Sequence, residues 1–303
     1  MTHKSAFISI VGRPNTGKST LLNALVGEKI AITSHHPNTT RRAIRGIVNL
    51  EDCQLVFVDT PGLHKPKTAL GGALNAVVSE SLDDVDVIIQ CIPINSPVGT
   101  GDEHVAREIS RQSGAKKFAV VTMMDRADNN RAPQQLLAVS ELARKAGFQW
   151  DEIVPLSSLR SDGISLLIDL LAKYAPQGPK FFPDEMKTDQ ELENVLADLI
   201  RESTIRELND ELPHSVAVTI DDLTTRPSGE LVDIHASIVV ERDSQKAIII
   251  GKKGARLKEI GTSARREIEA KVGKKVYLAL QVKVMSNWQS DSKALGKLGF
   301  TPR

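Results

Sequence analysis

The sequence predicts an α/β domain built on a mostly parallel sheet, followed by a smaller α+β domain. Three observations carry this expectation. Strand-length apolar runs alternate with helix-period segments over residues 1–174. Three prolines, Pro176, Pro179 and Pro183, then interrupt any continuing helix. Beyond them the order helix, two strands, two helices, strand is legible over residues 188–303. A chain of 303 residues, 41% hydrophobic and 25% charged, has enough apolar material for two separate cores. The expected layout is a first domain at 1–174, a linker at 175–187 and a second domain at 188–303.

The elements follow in order. Phe7 to Val11 is a buried strand, and Leu21 to Leu25 opens an amphipathic helix. Glu28 to Arg42 is polar, broken by Pro37 and without periodicity, which reads as a long loop. Ala43–Leu50 and Cys53–Val58 are strands separated only by Glu51 and Asp52, hairpin spacing. Strands at Val85–Ile92, Lys117–Met124 and Glu152–Leu156 alternate with helices at Asp102–Gln112, Pro133–Ala146 and Gly163–Tyr174. The second domain reads as a helix from Asp189 to Asn209 and strands at Ser215–Asp221 and Leu231–Val240. A short helix Ser244–Ile250, a helix Ala255–Lys271 and a strand Lys275–Val284 complete it.

Charge is segregated. From His214 to Arg303 there are 16 Lys/Arg against 10 Asp/Glu, while the remainder is net acidic, although the whole chain carries only +1. Such asymmetry points to a polyanionic partner for the C-terminal part. No run approaches eighteen apolar residues, and Met1 to Ser5 lead into a strand rather than a signal segment, so a cytosolic protein is expected. Cys53 and Cys91 sit in apolar runs and are expected to be buried reduced thiols.

The chemistry begins at Gly12-Arg13-Pro14-Asn15-Thr16-Gly17-Lys18-Ser19-Thr20. The G-x-x-x-x-G-K-S spacing between a strand and a helix lets backbone N–H groups cradle a triphosphate. Lys18 then reaches the β and γ oxygens, and the Ser19 hydroxyl meets Mg²⁺. The helix N-terminus adds partial positive charge to the same place. Asp59-Thr60-Pro61-Gly62 ends the next strand, where an Asp can hold Mg²⁺ through water and a Gly amide can sense the γ-phosphate. Thr40, with Thr39 as the neighbouring candidate, lies in the loop between them, placed to complete the Mg²⁺ shell and to order that loop when triphosphate is present.

With Asn38-Thr39-Thr40-Arg41, Asp59 to Leu63 and Gly251-Lys252-Lys253-Gly254, the chain resembles the bacterial Era GTPases, of the TrmE-Era group of P-loop GTPases, nearly end to end. The resemblance implies GTP hydrolysis with Mg²⁺. Leu63 stands where many GTPases carry a water-orienting Gln and cannot align water. In the family the Asn of the phosphate loop, here Asn15, is associated with a K⁺ ion that stabilises transition-state charge. Asn15, Lys18, Thr40 and Gly62 are thus the expected catalytic set.

The base-reading motif departs from the family's N-K-x-D. That register reads Thr122-Met123-Met124-Asp125. Asp125 keeps the carboxylate that pairs with guanine N1–H and N2–H, Thr122 retains one hydrogen bond, and Met123 covers the ring without an ammonium head. GTP specificity with affinity weakened by about 1–3 kcal/mol is expected. The register Asp125-Arg126-Ala127-Asp128 competes with it. Ser157-Ser158-Leu159 matches the family's S-A-x loop, whose backbone N–H reads guanine O6.

In the C-terminal part Gly251-Lys252-Lys253-Gly254 joins two helices, and its order of elements resembles a type II KH domain. A G-x-x-G turn clamps about four single-stranded nucleotides. Gly251, Lys252, Lys253, Gly254, Arg256 and Lys258 are the expected RNA contacts, and from Lys246 to Lys275 there are 10 basic residues against 3 acidic ones. Trp288 is expected to pack on the domain, and His35 and His36 to be incidental. The family resemblance implies the 16S rRNA 3′ end and the immature 30S subunit as partners, nucleotide state gating RNA binding, and a monomer. It leaves room for peripheral association with the inner face of the cell membrane. The rival reading is a nucleotide-insensitive RNA-binding assembly module.

Overall fold

The computed structural model of the chain describes residues 3–34, 39–63, 66, 68–128, 132–208, 215–227 and 229–300. Asn38, the His35/His36 pair and the helix end expected at Asn209 lie outside them. The chain divides into two compact units. Unit 1 comprises Met1–Ala31, Thr40–Pro66 and Gly71–Asp189, and unit 2 comprises Ile32–Thr39, Lys67–Leu70 and Gln190–Arg303.

Unit 1 is built on a six-stranded sheet. Its strands are β1 (Lys4–Val11), β2 (Ile44–Asn49), β3 (Cys53–Asp59), β4 (Val87–Pro93), β5 (Lys116–Thr122) and β6 (Glu152–Pro155), in the order β2-β3-β1-β4-β5-β6. Only β2 is antiparallel, paired with β3 through the two-residue Glu51-Asp52 turn. The parallel strands β3 and β4 are buried along their whole length, which is why they read as continuous apolar runs rather than alternating ones. Parallel pairing brings the ends of β1, β3, β4 and β5, at Val11, Asp59, Pro93 and Thr122, to the same edge of the sheet. β1 lies between β3 and β4, so the strand order reverses beside it, the place where open parallel sheets bind their ligands.

The helix α1 (Lys18–Val26) starts after Gly17 and stops at Gly27, both in the left-handed region. Leu21, Leu22, Leu25 and Val26 pack with Ile8, Ile10, Leu55 and Phe57 of the sheet. Burial of this stripe, at about 1.5–3 kcal/mol per side chain, fixes the start of α1 against the end of β1. The other helices are α2 (Ala69–Glu80), α3 (Thr100–Ser110), α4 (Ala132–Ala146) and α5 (Ile164–Tyr174). α2 carries little helix signal in the sequence, because Gly71 and Gly72 weaken its propensity, yet it buries Leu74 and Val78 four residues apart.

The proline-rich stretch is strapped to unit 1. Ser5 N–H donates to the Pro176 carbonyl at 3.0 Å, and Gly178 N–H donates to the His3 carbonyl at 3.1 Å. The Gln54 side chain, fully buried, donates to the Phe182 carbonyl at 2.8 Å and accepts from the amides of Phe181 and Phe182 at 2.8 and 3.0 Å. Prolines remove donors from this segment, and Gln54 satisfies the Phe181 amide and both backbone groups of Phe182.

Unit 2 comprises α6 (Leu192–Arg206), β7 (Ala217–Thr225), β8 (Leu231–Val240), α7 (Asp243–Ile250), α8 (Ala255–Val272), β9 (Lys275–Val284) and α9 (Ser292–Lys297). Its sheet runs β7-β8-β9, antiparallel then parallel. Leu196, Ile200, Ile234, Ile238, Ile260 and Ile268 form its core, which Ile32 joins. Trp288 is fully buried, donates its indole N–H to the Ser215 carbonyl at 3.2 Å and stacks on Phe300.

Candidate nucleotide and nucleic-acid sites

At the end of β1 the chain must turn sharply and leave its amides pointing one way. Gly12, at φ 156°, has no room for a side chain: a Cβ there would lie 2.8 Å from Thr16 Oγ1 and 2.9 Å from the Cys91 carbonyl. Asn15 takes φ 62° and is exposed, and Gly17 takes φ 88°. Thr16 is fully buried and donates to the Arg13 carbonyl at 3.0 Å, so it braces the turn from within. Pro14 and Thr20 are half-buried on either side.

Lys18 is only 6% exposed. Its ammonium donates to the carbonyls of Gly12 and Arg13 at 3.3 and 3.1 Å, inside the loop it would use to hold a phosphate. Burial pushes its pKa down, with Asp59 opposing. A cation held in so desolvated a place acts on an anion far more strongly than it would in water.

Three oxygen-bearing side chains converge beside it. Ser19 Oγ donates to Asp59 Oδ2 at 2.7 Å, Thr40 Oγ1 donates to the same oxygen at 3.2 Å, and the two hydroxyls are 2.8 Å apart. Asp59 Oδ1 is buried with no hydrogen-bond partner among the described residues. Burial pushes the Asp59 carboxyl up, with Lys18, Ser19 and Thr40 opposing. An orphaned carboxylate oxygen beside two hydroxyls is a hard donor set that suits Mg²⁺. Among the expected metal residues, Ser19, Thr40 and Asp59 are thus brought to one point.

The Asp59-Thr60-Pro61-Gly62 turn closes against the loop. Thr60 is buried and donates to the Ile10 carbonyl at 2.8 Å, which makes its side chain a brace, and Pro61 is buried beside it. A Cβ on Gly62 would lie 2.7 Å from Pro14 N, and Leu63 N–H donates to the Gly12 carbonyl at 3.1 Å. The Leu63 side chain turns into the core with Val11 and Val78.

At the end of β5 Thr122, nearly fully buried, donates to the Thr16 carbonyl at 2.7 Å and so ties the end of that strand to the loop before α1. Met123 has φ 62°, and its methyl comes within 3.7 Å of where a Gly17 side chain would begin. Asp125 Oδ1 accepts from Ser157 Oγ at 2.7 Å, and this bond holds its carboxyl below the ordinary range. Asp128 is exposed. Reciprocal backbone bonds between Ser157 and Asp162, at 3.0 and 3.1 Å, close the loop that carries Ser158 and the 70%-exposed Leu159.

Arg13 is turned to a partner that sequence reading missed. Its Nε lies 3.1 Å from both oxygens of Asp102, which is fully buried, and a terminal nitrogen donates to Ser96 Oγ. Asp102 also accepts from Gly99 N–H at 3.0 Å, at the start of α3. The only local signal was an Asp in the first turn of a helix, which reads as a cap.

In unit 2 Gly251 has φ 70°, and a Cβ there would lie 2.8 Å from Arg256 Cβ. Gly254 at φ 79° and Lys253 at φ 52° turn the chain into the N-terminus of α8. Lys252, Lys253 and Lys258 are exposed, whereas Arg256 is half-buried and donates to the Ile248 carbonyl at 3.0 Å, stopping α7. The loop therefore offers two solvated cations, with open space beside Gly254.

Comparison with known proteins agrees in both units. A model of a 50S ribosome-binding GTPase matches residues 7–124, and a KH domain model matches residues 211–289. The GTPase Era of Nocardioides sp. is 50% identical over 302 residues, covering 98% of this chain and 96% of its own. That of Mycobacterium tuberculosis is 51% identical over 299 residues, covering 98% of each. A crystal structure of Era in complex with MgGDPNP and nucleotides 1506-1542 of 16S ribosomal RNA is 35% identical, with a TM-score of 0.93 over 99% of this chain and 100% of that one. A variant of the Aquifex aeolicus Era bound to GDP.AlF4- is 33% identical, also with a TM-score of 0.93 and the same coverage. With identity near one half along almost its whole length, this chain belongs to the GTPase Era family.

Proposed function

We propose that the chain hydrolyses GTP in unit 1, binds the 3′ end of 16S rRNA through unit 2 during 30S maturation, and changes its RNA affinity with nucleotide state. The observation that carries the reading is the meeting of Ser19, Thr40 and Asp59 beside the buried Lys18. Lys18 would leave the carbonyls of Gly12 and Arg13 for the β and γ oxygens, and the loop amides would bind the rest of the phosphate chain. Ser19, Thr40 and Asp59 would hold Mg²⁺, which supplies positive charge to those same oxygens. Asn15, exposed at the rim of the loop, would offer its side-chain carbonyl to K⁺. The Gly62 amide would report the γ-phosphate to the loop around Thr40. Because Leu63 is committed to the core, water is positioned by backbone and loop groups, and unstimulated turnover is slow.

Asp125 would accept from guanine N1–H and N2–H, Met123 would cover the ring, and the loop Ser157-Ser158-Leu159 would face its O6 edge. The Ser157 bond to Asp125 supports this register over the one ending at Asp128. In unit 2 Gly251 to Gly254 would admit the sugar-phosphate backbone, with Lys252, Lys253 and Lys258 supplying charge and Arg256 holding the turn. On this reading the chain is a cytoplasmic monomer with peripheral association to the inner face of the membrane. Among the described residues no helix is long and apolar enough to cross one.

Titration of GTP, XTP and ATP on the parent and on Asp125→Asn tests the site. The expected result is GTP preference in the parent and XTP preference in the variant. Binding of all three alike, with no K⁺-stimulated GTP turnover, would leave only a nucleotide-insensitive RNA-binding module.

A further inference from the structure

Arg13 is held at both ends, by groups that belong to unit 1. Its carbonyl accepts from the Lys18 ammonium at 3.1 Å and from Thr16 Oγ1 at 3.0 Å. Its side chain leaves the phosphate loop for α3, where Nε lies 3.1 Å from both oxygens of Asp102, and it also donates to Ser96 Oγ. The Asp102 side chain is 0% exposed, against 28% for that of Arg13. A carboxylate so deeply buried carries a desolvation cost that an apolar residue in the same turn would avoid. The surroundings nevertheless hold it in place. Oδ2 accepts from Gly99 N–H at 3.0 Å, and the buried Gln90 of β4 donates to the Asp102 carbonyl at 3.0 Å. Gln135 of α4 donates to the carbonyls of Ser96 and Pro93 at 2.7 and 3.3 Å. The partners of the guanidinium are thus themselves tied to the sheet and to α4.

Pro14 follows Arg13, and its ring steers the residue before it away from helical backbone toward extended. With that torsion restricted and the side chain anchored at Asp102, little freedom is left to the Arg13 carbonyl. The Lys18 ammonium, on a flexible four-carbon stem, takes its place from the carbonyls of Gly12 and Arg13. We infer that the Arg13 side chain is a positioning group for GTP hydrolysis: the buried Asp102 anchors it, and the anchored residue presents the carbonyl that sets where the Lys18 ammonium stands. The guanidinium touches no nucleotide in this role. Loop amides and the base-reading strand also hold GDP, whereas Lys18 meets the charge that develops at the γ oxygens. Misplacing the ammonium therefore costs turnover more than GDP affinity.

The inference rests on the reading of unit 1 as a GTP-hydrolysing site. Absent turnover in the parent would refute that reading and the inference with it, whereas an active parent with unaffected variants would refute the role of Arg13 alone. Steady-state hydrolysis and GDP affinity are to be measured on the full chain for the parent, Arg13→Met, Asp102→Asn and the double variant. The single variants remove charges of opposite sign, so an effect of the local field on the phosphates would move kcat in opposite directions. Loss of positioning lowers it in both. The expected result is a kcat about tenfold lower in each single variant and in the double, the losses not adding because both remove one anchor, with GDP affinity within about threefold throughout. Arg13→Met alone leaves Asp102 without its cation, and the double variant does not. Recovery of kcat in the double would therefore mark the loss as the cost of an unpaired charge and overturn the assignment. Parent-like kcat in either single variant, opposite shifts in the two, or GDP affinity falling in step with kcat would overturn it as well. If Arg13→Met fails to fold, Asp102→Asn and the double variant, which leave no unpaired carboxylate at this position, decide by the same criteria.

Discussion

The two glycine-bracketed turns of this molecule, Gly12 to Gly17 before α1 and Gly251 to Gly254 before α8, use one local device in opposite surroundings. Each turns the chain through left-handed residues into a helix N-terminus, and each carries lysine. In the first, Lys18 is buried, its pKa is pushed down, and its ammonium rests on the loop's own carbonyls. In the second, Lys252 and Lys253 are solvated. The same backbone motif thus gives a desolvated site suited to stabilising charge in a reaction, and a screened clamp suited to reversible capture of a polyanion. Surroundings, not the turn, decide between chemistry and binding.

Breaking the buried member should have the largest effect. Lys18→Ala should lower kcat for GTP by about 10²–10³, the scale of losing one preorganised charge donor, and leave the RNA affinity of the nucleotide-free protein unchanged. Single-turnover hydrolysis and RNA titration of the same sample check this; weakened RNA binding would mean that the turns are not separable. Breaking the solvated member should do the reverse and more gently. Lys252→Ala with Lys253→Ala should cost about tenfold in RNA affinity at moderate salt and reduce the slope of log K against log salt by about 1.4, from two lost phosphate contacts on single strands. Hydrolysis should be unmoved. An unchanged slope would remove these lysines from the interface.

The smallest effect sharpens the comparison at the base end of the buried site. The Ser157 hydroxyl holds the Asp125 carboxyl below its usual range. The ionised acceptor that guanine needs is therefore present above the folded pKa and lost only as pH falls through it, later than for an ordinary carboxylate. Ser157→Ala should shift the acid limb of GTP binding to higher pH, with little change at neutral pH. Fluorescent-nucleotide titrations across pH read this, and superimposable profiles for parent and variant would show that the hydroxyl does not tune the carboxylate.

What the sequence reveals and what it hides divide along the same physical line. Gly12 to Ser19, Asp59 to Gly62 and Gly251 to Gly254 are legible because glycine spacing and strand-loop-helix context are local. Thr40 and Asp125 are legible as candidates only beside those motifs. The ion pair of Arg13 with Asp102, 89 residues apart, and the bond from Arg201 to Thr39, 162 residues apart, leave no periodicity to read. Arg201 and Glu202 read as the polar positions of an amphipathic helix, yet both are buried, bonded to the backbone of Thr39 and Thr33. The prolines at 176–183 correctly announce the end of a helix. That Gln54 would bind the segment to the sheet required knowing which strand lies beside it.

The central claim is that one chain couples these two turns, and the most direct test measures coupling itself. The affinity of the full-length protein for a single-stranded 16S 3′-end fragment is to be titrated with a non-hydrolysable GTP analogue, with GDP and without nucleotide, at one salt concentration. The account predicts an affinity with the analogue that differs from the other two by about 5–150-fold, the usual range for a coupling of 1–3 kcal/mol. Equal affinity in all three states would contradict it.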